Sequence, residues 1–245
     1  MSVDVLRLRL SAPLMSFGGP LTDSLGRTEE FPQRSMLVGM IGNALGLDHR
    51  EGGRLQRLQS RVRYAARQDR PGTQLVDYQT VDLSQESMVG TGWTTEHTLE
   101  VRGGASGEGT HIRYRHYLAD ASYAVALTLA PAAEEPTLDD VERALRAPER
   151  PLFIGRKCCI PATPIVIDRV VAATLYDALV SCPRERKGDQ TVRAKMWWSE
   201  TDAPAAVSAR AREVEVHDAR DWVNQIHAGR RYMREGEVVF EKGAP

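Results

Sequence analysis

Apolar residues alternate with Asp and Arg through most of residues 3–10, the period-two pattern of a half-buried strand. Pro13, Gly18, Gly19 and Pro20 then break the chain into a loop. Residues 36–47 change period: their apolar spacing is helical, and Gly39, Gly42 and Gly46 let such a helix pack closely on a sheet. Residues 48–58 read as a second short helix, with Leu55, Leu58 and Val62 toward one side, and residues 62–67 as a strand. Arg50, Arg54, Arg57 and Arg61 recur at spacings of four, three and four, which is one stripe of a helix. A solvated face is the favoured reading of that stripe, with a nucleic-acid contact as the alternative.

From residue 80 to residue 110 apolar positions thin out, and glycine appears at 90, 92, 103, 104, 107 and 109. That predicts a long hairpin or arm, entering near residues 77–80 and leaving near residues 112–115; loops of this length in compact domains are functional or disordered. Residues 117–129 are apolar and rich in Ala and Val, which fits a central strand. Residues 130–136 form a linker. Thr137 is placed to cap a helix with Asp139 and Asp140 in its first turn, running to about Ala147. Residues 148–164 are turn-rich and carry Gly155-Arg156-Lys157; residues 165–175 read as strand and 181–187 as a charged loop. The remainder mixes short strands with loops, and the Ala-rich residues 203–211 read as a short helix or linker. The order predicts an α+β sheet with helices on one face, with a ferredoxin-like β-α-β-β-α-β unit in roughly residues 1–175.

With 245 residues the chain suits one large domain or two small ones, and 42% hydrophobic residues supply a core. There is no apolar run of 18 residues or more and no apolar segment behind a basic start, so neither a membrane span nor a secretory signal is expected. Cys158, Cys159 and Cys182 include no Cys-x-x-Cys pair, which fits a reducing cytoplasm and no zinc site. The net charge is only −1, yet Arg outnumbers Lys 28 to 4. Codon usage in a GC-rich genome is the favoured account of that excess, and recognition of phosphate by the planar guanidinium competes with it.

Candidate chemistry is sparse. Residues 103–109 are glycine-rich but lack the Gly-Lys-Ser/Thr of a phosphate loop. The six His residues have no metal-ligand spacing, and no Gly-x-Ser-x-Gly or His-Glu-x-x-His occurs, so no metal and no cofactor is expected. Arg34-Ser35 precedes the first helix, where free N–H groups and the positive dipole end suit a phosphate. His111, Arg113, Tyr114, Arg115, His116 and Tyr117 form the densest polar-aromatic cluster: either an RNA-stacking surface or a strand end facing water. Trp93 is an exposed aromatic of the arm or its anchor, and Trp197-Trp198 belongs to packing or a subunit contact.

Five blocks in order carry a resemblance. They are Leu6-Arg7-Leu8-Arg9-Leu10-Ser11-Ala12-Pro13-Leu14-Met15 with Gly18; Phe31-Pro32-x-Arg34-Ser35-x-Leu37-x-Gly39-x-x-Gly42-x-x-Leu45-Gly46; Asp77-Tyr78-x-Thr80-Val81; Arg115-x-Tyr117-Leu118-x-Asp120-Ala121-Ser122-Tyr123-x-Val125-Ala126-Leu127; and Pro151-Leu152-Phe153-Ile154-Gly155-Arg156-Lys157-x-Cys159-Ile160-Pro161. Over most of residues 3–166 the chain resembles the Cas-five family of RAMP proteins, in the branch of the type I-E CRISPR surveillance complex Cascade.

The resemblance implies a ferredoxin-like RAMP domain over residues 1–170, a long β-hairpin thumb at about 78–115, and a small, mostly β region at 171–245. It implies a non-catalytic, crRNA-binding subunit that holds the 5′ handle and helps assemble the complex for recognition of target DNA in antiviral defence. CasC, the backbone subunit, and CasA, the large subunit, would be its neighbours. The RNA-binding set is then Ser16, Phe17, Gly18 and Gly19 of the loop, Arg27, Arg34 and Ser35, the strand residues His111, Arg113, Arg115 and His116, and Arg156 with Lys157. Trp93 and Arg102 fall on the thumb. The alternative is a metal-independent endoribonuclease, because another branch of the family cuts repeat RNA with a Tyr, a Lys and a His. Arg115-His116 loosely takes the Lys-His place, but no Tyr lies between Met1 and Arg63, so Tyr78, Tyr114 or Tyr117 would have to supply that group.

Overall fold

The computed structural model describes residues 2–19, 24–82, 92–93, 99–100, 110–185 and 193–240. Strand β1 (Val3–Ser11) leads into two short strands, β2 (Leu14–Met15) and β3 (Leu25–Gly26). Helices α1 (Arg34–Ala44) and α2 (Gly52–Arg61) follow, then β4 (Val62–Arg70) and β5 (Thr73–Asp82). Within the arm, β6 (Gly92–Trp93) and β7 (Leu99–Glu100) pair antiparallel. The chain returns through β8 (Thr110–Ala119), β9 (Ser122–Leu129), α3 (Leu138–Arg146), β10 (Val166–Ala172) and α4 (Leu175–Val180). It ends with β11 (Arg193–Trp198), α5 (Ala205–Ser208), β12 (Arg212–Val216), β13 (Arg220–Asp221), β14 (Ile226–His227) and β15 (Arg231–Val239).

The main sheet has the order β10-β1-β9-β4-β11-β15-β12, antiparallel throughout. Read across the sheet, its first four strands are fourth, first, third and second of the four in chain order, and α1–α2 and α3 fill the two crossovers. The mixed α+β class anticipated from the sequence is what the chain adopts. The Thr137 cap is also present: its hydroxyl accepts from Asp140 N while the Asp140 carboxylate accepts from Thr137 N at 2.9 Å.

Both faces of the sheet are covered. Strand β9 is buried along its whole length, with Tyr123, Val125 and Leu127 in the larger core, which also holds residues from α1, α2 and α3. Ala124 and Ala126 face the other way, and their small side chains let α4 sit close, with Leu175, Ala178 and Leu179 over them. This corrects the expectation of helices on one face only. Two buried arginines hold the C-terminal end of α4. Arg67 Nη1 donates to the Cys182 carbonyl at 2.9 Å, and Arg7 Nη1 to that of Ala178 at 3.3 Å, while Asp69 and Asp168 neutralise them.

One further reading changes. Residues 117–129 are not one strand: the chain turns at Asp120, which takes a left-handed φ of 54°, and Arg70 binds both its carbonyl and its carboxylate. The region after residue 171 is mostly β, and it includes a separate two-stranded β13–β14 sheet. Strands β11, β15 and β12 continue the main sheet beyond β4, and Trp197 stacks on Phe31 with centroids 4.9 Å apart. Trp197 and Trp198 are both buried, which places them in packing.

Candidate nucleic-acid interface

The ribbon formed by β5 and β8 rises from the body with its ten residue pairs in register from Thr73↔Ala119 to Asp82↔Thr110. Directly paired residues share a face and successive residues alternate, so the sequence cluster at 111–117 is split in two. One face carries Val76 with His116, Tyr78 with Tyr114 and Thr80 with Ile112. Tyr78 and Tyr114 meet edge to face at 5.4 Å, and Tyr78 remains 55% exposed. The other face carries Leu75 with Tyr117, Asp77 with Arg115, Gln79 with Arg113 and Val81 with His111. Tyr114 and His116 of the cluster therefore lie on the side opposite His111, Arg113, Arg115 and Tyr117.

At the root of the ribbon the basic face meets two other segments. Arg156 lies 4.8 Å over the Tyr117 ring, and its guanidinium donates to the carbonyls of His116 and Gly26, both at 2.7 Å. Strand β3 runs parallel to β8 here, pairing Gly26 with Arg115. A Cβ at Gly26 would sit 2.8 Å from both Arg115 Nη1 and Arg156 Nη2, so glycine leaves the room in which the two guanidinium groups gather. Arg27 and Lys157 are exposed beside them in the chain. The Asp77 carboxylate opposite Arg115 accepts from Gln79 Nε2 at 2.6 Å and forms no ion pair with Arg115. Among the described residues no carboxylate pairs with Arg27, Arg115, Arg156 or Lys157, whereas much of the remaining arginine is neutralised within the chain. Arg54 pairs with Glu51 and Arg57 with Glu134, while Arg61 is buried and donates to the carbonyls of Pro131 and Glu134. The Arg50–Arg61 stripe is thus largely spent inside the fold.

The loop after β2 is brought to the same place. Ser16 N donates to the Ile154 carbonyl at 3.2 Å, and Glu29 N to the Phe17 carbonyl at 2.6 Å. The loop side chains differ from expectation. Phe17 is fully buried and meets Tyr123 edge to face at 5.0 Å, so its ring has no face to offer a base; Ser16 is buried as well. Gly18 and Gly19 are the parts of the loop that reach the surface.

The start of α1 also differs. Arg34 and Ser35 are its first two residues, and their amides are already occupied: Arg34 N donates to Asp218 Oδ2 at 2.9 Å and Ser35 N to the Asp218 carbonyl at 3.0 Å. A carboxylate from the C-terminal region therefore sits where a phosphate was expected. Burial opposes charge on Asp218, yet the Arg231 guanidinium and the Arg34 amide hold its carboxyl below the usual value. Tyr64, buried between Asp218 and Arg231, has its phenol pushed up by that burial. Burial together with the Arg231 charge lowers the pKa of Arg34.

Of the residues anticipated, Arg115 and Arg156 meet at Gly26, and Arg27 and Lys157 are their exposed neighbours along the chain. Arg113 and His111 lie further along the same ribbon face, and His116 on the opposite one. The side chain of Trp93 and all of Arg102 lie outside the described residues. Val76 and the place of Tyr78 on this surface were missed, although the period-two pattern of residues 74–80 would have placed them beside His116 and Tyr114. Among the described residues no group of three or more His, Cys, Asp or Glu could hold a metal ion, and no helix is long and apolar enough to cross a membrane.

A family model described as "CRISPR-associated protein (Cas_Cas5)" matches residues 5–234. The chain belongs to this Cas5 family. A curated relative, the CRISPR system Cascade subunit CasD of Escherichia coli strain K12, is 32% identical over 72% of this chain and 75% of its own. Two solved structures share the fold. One, titled "CRISPR RNA-guided surveillance complex", has a TM-score of 0.66 at 24% identity and covers 96% of this chain and 90% of that one. The other, "Crystal structure of Cas protein", has a TM-score of 0.62 at 25% identity and covers 97% of this chain and 95% of that one.

Proposed function

We propose that this Cas5-family chain is a non-catalytic subunit of a Cascade-type surveillance complex and binds the 5′ handle of crRNA at the root of its ribbon. The observation that carries this reading is the gathering of Arg115 and Arg156 around Gly26, without a pairing carboxylate among the described residues. Arg27 and Lys157 extend that charge, and a phosphate backbone is the counter-charge that fits. The Tyr78–Tyr114 face supplies rings on which unpaired bases stack, so a single strand can cross the ribbon with phosphates on one side and bases on the other. The name of the E. coli relative supports membership of Cascade; CasC and CasA as neighbours, and a complex that recognises target DNA, are what the family resemblance implies.

The test is co-expression with the neighbouring genes, followed by sequencing of the bound RNA and filter binding of the handle. Arg115→Ala is expected to weaken handle binding about tenfold, the loss of one charge-assisted contact. Full handle affinity without Arg115 would sink the reading. Incubation with repeat RNA in EDTA checks the nuclease alternative. Sequence-specific cleavage that disappears in His116→Ala would replace the non-catalytic assignment.

A further inference from the structure

Glu29 lies on the segment that joins the basic cluster to the glycine loop. It follows Gly26, where Arg115 and Arg156 meet, by three residues, and its amide donates to the Phe17 carbonyl at 2.6 Å. Thr28 Oγ1 accepts from Phe17 N at 2.9 Å, so two hydrogen bonds fix residues 28–29 against the loop. A Cβ on Gly19 would collide with Glu29 Oε1, and one on Gly18 would meet nothing within 4 Å. The carboxylate therefore lies directly against the loop backbone beside open space, and a side chain at position 19 would displace or cover it.

Nothing in the described chain compensates this carboxylate. Among the described residues no cation pairs with it and no donor reaches it, although its neighbour Glu30 pairs with Lys195 at 2.5 Å. His217 acts on it only through its charge, and its own Nε2 lies 3.3 Å from Glu215 Oε1. Burial pushes the Glu29 carboxyl up, with His217 opposing the rise and Asp218 adding to it. A half-buried, unpaired carboxylate is costly, and next to a phosphate-binding cluster it repels the backbone that the cluster attracts. What a single strand can offer it is base donors and ribose hydroxyls. Two carboxylate oxygens match two adjacent donors in one plane. On its Watson–Crick edge only guanine presents such a pair, N1–H and the N2 amino group. Adenine and cytosine set one amino donor beside an acceptor, and uracil sets one N–H between two acceptors, each of which a carboxylate repels.

We infer that Glu29 selects a guanine in the bound strand, its carboxylate accepting from N1–H and the N2 amino group beside Gly19. The inference rests on the RNA-binding reading and adds base identity to a cluster that by itself only positions phosphates. The test is filter binding of the full chain to synthetic handle RNA, of the sequence recovered by co-expression, with each guanine replaced in turn by inosine. Inosine keeps N1–H and lacks the amino group. One position is expected at which inosine weakens binding about tenfold. Glu29→Gln should bind the unmodified handle about tenfold more weakly and lose that sensitivity, because its amide nitrogen cannot accept. Glu29→Ala is the second variant and should behave alike. An all-uridine strand of equal length offers no such edge, so both variants should bind it at least as tightly as the wild type does. A handle without guanine, indifference to inosine at every position, or a sensitivity that survives in both variants overturns the inference. So does a loss caused by a 2′-deoxy substitution and not by inosine, which would give the carboxylate to a ribose hydroxyl. Handle binding that needs Arg115 but ignores inosine removes the guanine and leaves the ribbon reading standing, whereas a chain that binds no handle removes both.

Discussion

A methyl group on Gly155 would fall on the carbonyl of Ser16, and the residue has a φ of +94°. Both facts trace to one event, the close passage of the 154–157 segment beneath the glycine loop, and only glycine permits it. Gly155→Ala is therefore expected to cost about 1–3 kcal/mol from backbone strain alone, with the clash in addition. Urea denaturation at constant m-value would show the loss, and an unchanged midpoint would refute the close approach. The sequence showed that a glycine stood there but not why. Phe17 teaches the same lesson in reverse. Beside two glycines in a family loop it reads as a stacking residue, but its environment is decided by Tyr123, a distant partner that no local pattern reveals. Asp120 was hidden because the apolar run passes through it unbroken, while an Asp accepts the left-handed turn that Arg70 fixes.

At the scale of elements, the spacing of apolar residues identified α1, α3 and the β1 and β4 strands, although β1, expected to be half-buried, and β4 are buried on both faces. What periodicity could not give was what satisfies their ends. The start of α1 attracted attention as a vacant anion site, and Asp218 fills it from the other end of the chain. Asp218→Asn removes a charge buried against Arg231 and is expected to cost about 3–5 kcal/mol. The pH dependence has a definite sign. The folded pKa of Asp218 lies below its unfolded value of about 3.9, so its contribution is complete above that pH and is lost as pH falls through the folded pKa. The stability difference between wild type and variant should thus be constant near neutrality and shrink only in acid below about pH 4. A difference that shrank between pH 5 and 8 would place the stabilisation elsewhere. The ribbon likewise had a legible pattern whose consequence was overlooked: alternation alone separates Tyr114 and His116 from Arg113 and Arg115. For Arg156 the prediction is a split effect. Its guanidinium ties β3 to β8 as well as adding charge, so Arg156→Ala should lower both stability and handle affinity, while Arg115→Ala should lower affinity alone.

Over the whole molecule the net charge is only −1, so attraction for RNA must come from local imbalance rather than bulk charge. For a single strand each neutralised phosphate contributes about −0.7 to the slope of log K against log salt. Four cations at the ribbon root predict a slope near −3, falling by about 0.7 in Arg115→Ala. A slope near zero would mean that the cluster does not meet a backbone. The arrangement of the chain into a domain and a smaller appendage was the least legible feature, since strand periodicity says that β11, β12 and β15 are strands but not which edge they join. They join β4, and α1 depends on the same region for its Asp218 cap and for the Trp197 ring stacked on Phe31. Two regions tied by a continuous sheet and a shared core cannot unfold in separate steps without exposing the β4 edge and an uncapped helix. Tryptophan emission reports chiefly on the later region, with Trp197, Trp198 and Trp222, while far-ultraviolet circular dichroism reports on all the sheet and helix. The two probes should give one coincident transition in urea. If emission changes first while the dichroism of the first region persists, the later strands are an appendage after all, and the capping of α1 is not needed to hold the fold.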